Sequence, residues 1–96
     1  MLVWLIYDIS KDKTRNKIVK MALEYGLYRV QKSVFLGTIE KNRLDEVVLQ
    51  SEKLIDEKTD SVYIFPMCKA DFHSAILQGQ AFDKDLVTDE VKALFM

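Results

Sequence analysis

Asp8 stands near the end of an otherwise apolar run, Leu2-Val3-Trp4-Leu5-Ile6-Tyr7-Asp8-Ile9-Ser10. An unpaired carboxylate costs several kcal/mol to bury, so an aspartate on a strand of core type needs a hydrogen-bonding, metal-binding or catalytic reason to be there. The purely structural alternative is that Asp8 caps the following helix or bonds a loop amide, since aspartate commonly sits just before helices. A few residues on, Arg15 and Lys17 fall at the start of that helix. Cations there oppose the helix dipole, and a phosphate at the N-terminus would give them a purpose. Lone His73 reads as a surface residue, with a general-base role as the chemical alternative. Cys68, with no second cysteine in the chain, reads as a small buried hydrophobe. The acidic cluster Asp83, Asp85, Asp89 and Glu90 reads first as a solvated segment that meets a basic protein surface, and second as a metal site.

These residues belong to a chain of 96 residues, 49% hydrophobic and 30% charged, which describes one domain with one core. No run of about eighteen apolar residues lacks a charge, and the apolar start carries no basic leader or small-residue cleavage site. The expectation is a cytoplasmic protein that does not engage a membrane. The net charge of -1 hides an asymmetry: residues 1–43 carry nine Lys and Arg against four Asp and Glu, and residues 44–96 carry five against eleven. One face of such a molecule can attract a polyanion while another meets a basic protein.

The elements that position the candidate residues follow from periodicity. Residues 2–9 are short, branched and aromatic, which predicts a central strand buried on both faces. Several cap residues lie between Ser10 and Thr14, after which Ile18, Met21, Ala22 and Tyr25 recur at helical spacing up to Gly26. Residues 28–31 and 34–39 are strand-like, with Gly37 as a bulge or close-approach site, and predict a bent hairpin or one kinked strand. Asn42 is the expected cap of a second helix whose apolar stripe is Leu44, Val47, Val48, Ser51, Leu54 and Ile55. Residues 61–65 form a last strand, ended by Pro66. The order βαββαβ predicts an α+β, ferredoxin-like sandwich: a four-stranded antiparallel sheet with two helices on one face. Residues 1–66 then make the core, and residues 67–96 form a C-terminal segment with a short helix around 71–77. Its later apolar positions Val87, Val91, Leu94 and Phe95 predict docking across a homodimer.

Three segments in order, Tyr7-Asp8-Ile9-Ser10, Arg15-Asn16-Lys17 and the run Gly26-Leu27-Tyr28-Arg29-Val30-Gln31-Lys32-Ser33-Val34-Phe35, closely resemble the CRISPR-associated protein two family. That family comprises small ferredoxin-like homodimers that take part in spacer acquisition, and several members are described as metal-dependent endoribonucleases or double-strand deoxyribonucleases. The resemblance implies that Asp8 is the metal-site and catalytic aspartate. It implies nucleic-acid contact at Arg15, Arg29 and Phe35, with Ser33 in the same motif, whereas by residue type alone Phe35, like Trp4 and Tyr63, reads as a core aromatic before a contact. Lys17 falls where an arginine is common, keeping the charge without the bidentate fork.

One aspartate cannot build a magnesium site, because the ion wants six oxygens and usually takes one or two carboxylates plus water. A two-fold axis that brings Asp8 together with its symmetry mate supplies the second carboxylate, for magnesium or, alternatively, manganese, and makes metal binding pH-dependent. The implied activity is phosphodiester hydrolysis in single-stranded RNA or double-stranded DNA. The competing reading is a non-catalytic dimeric scaffold that binds duplex DNA and bridges the CRISPR integrase, which needs only a basic surface. A single-stranded RNA-binding module shares the fold, but Tyr28 and Phe35 make only part of the aromatic platform it would want.

Overall fold

The computed structural model describes residues 1–76 and 78. The apolar positions Val87, Val91, Leu94 and Phe95 and the acidic cluster Asp83, Asp85, Asp89 and Glu90 lie outside the described residues. The element order is β1 (Leu2–Asp8), α1 (Asp12–Glu24), β2 (Tyr28–Gln31), β3 (Val34–Thr38), α2 (Lys41–Leu54), β4 (Ser61–Met67) and α3 (Lys69–Ser74). The strands form one antiparallel sheet in the order β2-β3-β1-β4, the α+β, ferredoxin-like arrangement expected from the sequence.

β1 sits between β3 and β4 and is paired on both edges, and its side chains alternate between a face buried against the helices and an outer face that is only partly covered. Val3, Leu5 and Tyr7, with Ile9 just beyond, enter a core with Ile18, Met21 and Ala22 of α1 and Leu44 and Val47 of α2. Leu2 faces the other way, into a smaller cluster with Val30, Leu36 and Phe72, against which Trp4 packs. Phe72 reaches that face from α3 and stacks on Trp4 with ring centroids 5.8 Å apart. The packed unit therefore continues past residue 66.

Several local details depart from expectation. Neither long helix has a side-chain cap: Lys11 and Glu40 occupy the cap positions, and Asn42 falls inside the first turn of α2. Pro66 does not end β4, which runs one residue further. β4 is an edge strand, where a missing N–H costs no ladder bond. Cys68 is exposed rather than buried, and its Sγ accepts from the Asp71 amide at 3.4 Å as the cap of α3. Val48 is 43% exposed, so it drops out of the apolar stripe of α2, whose Leu44, Val47 and Ser51 are buried and whose Leu54, with Ile55 just beyond, packs against the core.

α1 stops where glycine permits a left-handed residue. Gly26 has φ +83°, its amide donates to the Leu23 carbonyl at 3.0 Å, and the Leu27 amide donates to Ala22 at 3.1 Å. This pair of bonds is a Schellman motif, and it delivers Leu27 into the core. Gly37 of β3 makes room for it. A Cβ there would lie 2.9 Å from Leu27 Cδ2 and 3.2 Å from Leu27 Cα. Gly37→Ala should therefore destabilise the fold by about 1–3 kcal/mol through overpacking, read as a lower urea midpoint at unchanged slope; a wild-type midpoint would contradict this packing.

Candidate active site

Asp8 is the last residue of β1, across from Ser61 on β4. Strand alternation puts it on the same face as Trp4 and Ile6, away from α1 and α2. The structure corrects one premise: Asp8 is exposed, not buried, and its carboxylate has no hydrogen bond or ion pair among the described residues. A carboxylate in this state keeps all its acceptor positions available for a hard cation or a water. The buried carboxylate of the described chain is Asp60, at 8% exposure, in the turn before β4.

Arg15 reaches back from the first turn of α1 toward the end of β1. Its Nη1 donates to the Ile9 carbonyl at 2.8 Å, and its Nη2 pairs with Asp12 one turn earlier. Arg29 is aimed by the β2–β3 hairpin. Its Nε and Nη2 both donate to the Lys32 carbonyl, at 3.1 and 2.7 Å, and the Tyr7 hydroxyl donates to the same oxygen at 2.9 Å. The Tyr7 amide also donates to the Ser33 carbonyl at 3.1 Å, which fastens the hairpin turn to the end of β1. A register shift between Arg29 and Gln31 leaves Val30 as a bulge residue, a device that re-aims neighbouring side chains.

As a result Asp8, Arg15, Arg29 and Ser33 line one open cleft of about 580 Å³, joined by Tyr7, Asp12, Asn16 and Lys32. Its charged groups are three cations and two carboxylates, and one carboxylate is already paired with Arg15. Each guanidinium spends part of its five N–H groups on main-chain carbonyls and keeps others for an anion. The arrangement suits a phosphate held between two fixed arginines beside a free carboxylate.

Two of the expected contact residues lie elsewhere. Lys17 is two positions beyond Arg15, about 200° around the helix, and is exposed outside the cleft in line with Lys13 and Lys20. Phe35 is wholly buried in the helix-side core. Pulling its ring out to stack on a base would forgo about 3–5 kcal/mol of core packing for a stacking gain of about 1–3 kcal/mol. Its position points to a supporting role: the Arg29 guanidinium lies over the ring, 5.9 Å from its centroid, and Tyr7 flanks it at 6.4 Å. His73 is exposed on α3 and outside the cleft.

Sequence reasoning missed Asp60. Its carboxylate accepts from the amide and hydroxyl of Ser10, each at 3.2 Å, from the Asp56 amide at 3.0 Å and from the Thr59 hydroxyl at 3.2 Å. The Asp56 amide, followed by Ser10 and Thr59, holds its pKa below the usual carboxylate value against the opposing effect of burial. No local signal marks it, because Ser10 is 50 residues away.

Among the described residues, no three His, Cys, Asp or Glu side chains converge well enough to hold a metal ion. Asp8 offers one carboxylate to a hard cation of the magnesium type, whose other oxygens would have to come from water, a phosphate or a second copy of the chain. Among the described residues, no helix is long and apolar enough to cross a membrane.

The family model described as CRISPR associated protein Cas2 matches residues 1–75. The CRISPR-associated endoribonuclease Cas2 1 of Methanospirillum hungatei is 32% identical over 78 residues, which cover 81% of this chain and 82% of the relative. Its namesake from Archaeoglobus fulgidus is 34% identical over 77 residues, 80% of this chain and 82% of the relative. The crystal structure of Streptococcus pyogenes Cas2 at pH 6.5 aligns with a TM-score of 0.70 at 27% identity, over 82% of this chain and 100% of that one.

Phe35→Leu keeps the core apolar but removes the ring beneath Arg29. A stability loss of about 1–2 kcal/mol is expected, together with weaker nucleic-acid binding by fluorescence anisotropy. In the double variant, adding Phe35→Leu to Arg29→Ala should weaken binding no further; additive losses would mean that the ring touches nucleic acid itself.

Proposed function

The chain belongs to the Cas2 family of CRISPR-associated proteins, and from that membership we propose that it is a nuclease of CRISPR adaptation. It hydrolyses phosphodiester bonds in single-stranded RNA or duplex DNA, and it works as a homodimer. The observation that carries this reading is the meeting of a free carboxylate, Asp8, with two main-chain-anchored arginines, Arg15 and Arg29, in one open cleft.

The outer face of the sheet supports pairing of two copies. Beyond the cover of α3, Tyr63 and Phe65 of β4 lie parallel with centroids 6.4 Å apart and are 50% and 47% exposed. They flank Ile6 and Trp4 across the β1–β4 ladder, on the same face as Asp8. An apolar face of this kind on a small sheet is the surface that self-association would cover. Two copies meeting through it would bring their Asp8 carboxylates to a common axis.

In such a dimer the paired Asp8 side chains would hold a magnesium ion, with manganese as the alternative. When bound, the ion supplies Lewis-acid polarisation of the scissile phosphate. The chain's own residues do the rest. Arg15 and Arg29 grip phosphate oxygens and offset charge that builds on them, and because their guanidiniums are anchored beforehand, little reorganisation accompanies the reaction. Ser33 lines the same wall of the cleft. Lys17, with Lys13 and Lys20, attracts the backbone from outside it.

That exposed lysine stripe favours a second reading, in which the dimer is a scaffold that lies along duplex DNA and bridges the CRISPR integrase without cutting. Asp8→Asn separates the two. On the nuclease reading, magnesium-dependent cleavage of defined RNA and duplex DNA falls by roughly 100-fold or more while the dimer persists. Undiminished cleavage rejects the role of Asp8. Inactivity of wild type on every substrate, with integrase-dependent DNA capture surviving Asp8→Asn, favours the scaffold. Phe65→Asp tests the pairing face: light scattering should find monomers, and cleavage should be lost with the dimer. A dimer that survives this substitution would move the interface elsewhere.

A further inference from the structure

We propose that Asp60 is a positioning residue of the cleft, a clamp that fixes the end of β1 so that Asp8 and Arg15 address the same phosphate. The proposal rests on reading the cleft as a phosphodiester site, since a clamp has a catalytic consequence only there.

Asp60 and Ser51 are the polar or charged residues in the buried set of the described chain. Ser51 satisfies itself on its own helix, donating to the Val48 carbonyl at 3.0 Å. Asp60 does not act only locally. Its Oδ2 accepts from the Asp56 amide, and its Oδ1 accepts from the Thr59 hydroxyl, which together close the α2–β4 turn. Capping that turn requires nothing more. Yet Oδ1 also takes the amide and the hydroxyl of Ser10, 50 residues away in the β1–α1 loop.

Ser10 lies in the segment that joins the two functional side chains. It is two residues after Asp8, and Arg15 Nη1 donates to the carbonyl of Ile9 between them. On the other side, Ser61, the residue after Asp60, is the cross-strand partner of Asp8. Asp60 therefore holds Asp8 through the neighbouring strand and through the following loop at once. A strand end pinned on both flanks cannot fray, whereas terminal residues of a ladder ordinarily do. The Ser10 hydroxyl is committed to Asp60 and not to the helix start: α1 begins at Asp12, with Lys11 at the cap position and no side-chain cap. Asp60 itself does not line the cleft, so it acts through Ser10 and Ser61 rather than on substrate.

The experiment is Asp60→Asn in the full chain, read by amide hydrogen exchange and by steady-state cleavage. An amide offers one accepting oxygen where the carboxylate offers two, so the donors of Ser10 and Asp56 cannot both be kept. The expected result is a drop of roughly 10-fold or more in protection of the Ser10 amide, with Leu5 and Phe35 unchanged. A residue that merely stabilised the fold would lower all of these together. Cleavage should show kcat down by roughly 10- to 100-fold with KM within about two-fold, as expected of a displaced reacting group. Wild-type protection at Ser10, or wild-type kcat, overturns the proposal. Should Asp60→Asn not fold, Ser10→Ala removes the hydroxyl bond alone: reduced protection around residue 10 and a several-fold lower kcat are then expected, and wild-type values reject the clamp. Exchange at Ser10 is read without substrate, so failure of the clamp is distinguishable from failure of the nuclease reading, which is judged by Asp8→Asn.

Discussion

Pairing of β1 on both edges is the constraint from which the rest of the molecule follows. Every residue of that strand has a cross-strand partner on β4, and most have one on β3 as well. Its register therefore cannot slip without turning Val3, Leu5 and Tyr7 out of the helix-side core. With the register fixed, alternation sends Trp4, Ile6 and Asp8 to the opposite face. The strand ends as the sheet ends, so the carboxylate emerges into solvent instead of into the core, and its chemistry stays available.

The polar residues around that strand end do two things at once. Arg15 and Arg29 each brace a turn of backbone by donating to main-chain carbonyls, and each lines the cleft with N–H groups to spare. A long flexible side chain loses rotamer freedom when it grips an anion, and a guanidinium already held has less to lose. Phe35 lies beneath, its ring buried in the core and under the Arg29 guanidinium. Positive charge at this end of the molecule is thus built on packing, which ties binding to the integrity of the fold.

Membership of the Cas2 family and the geometry of a single chain converge on the same limitation. One chain presents one unpartnered carboxylate at the cleft and an uncovered aromatic pair on the same sheet face. The proposed homodimer completes them together, because one two-fold axis across that face covers the aromatics and doubles the carboxylate.

Much of this was legible in the chain itself. The apolar run of β1, the helical period that stops at Gly26, the small Gly37 and the two-residue turn of the hairpin are local signals. They determined the βαββαβ order and pointed to Asp8 and Arg15 as residues with work to do, while Arg29 was marked only by the resemblance to a known family. What was not legible depends on partners distant in sequence. Whether Asp8 is buried depends on where the sheet ends, and whether Phe35 faces solvent depends on which side of β3 the helices cover. Pro66 is tolerated in β4 because that strand is an edge, a property of strand order alone. Asp60 looks like any charged turn residue until Ser10 is brought to it. Periodicity is written into neighbouring residues and survives in sequence; the choice of face, edge and long-range hydrogen-bond partner arises only when separate segments pack together.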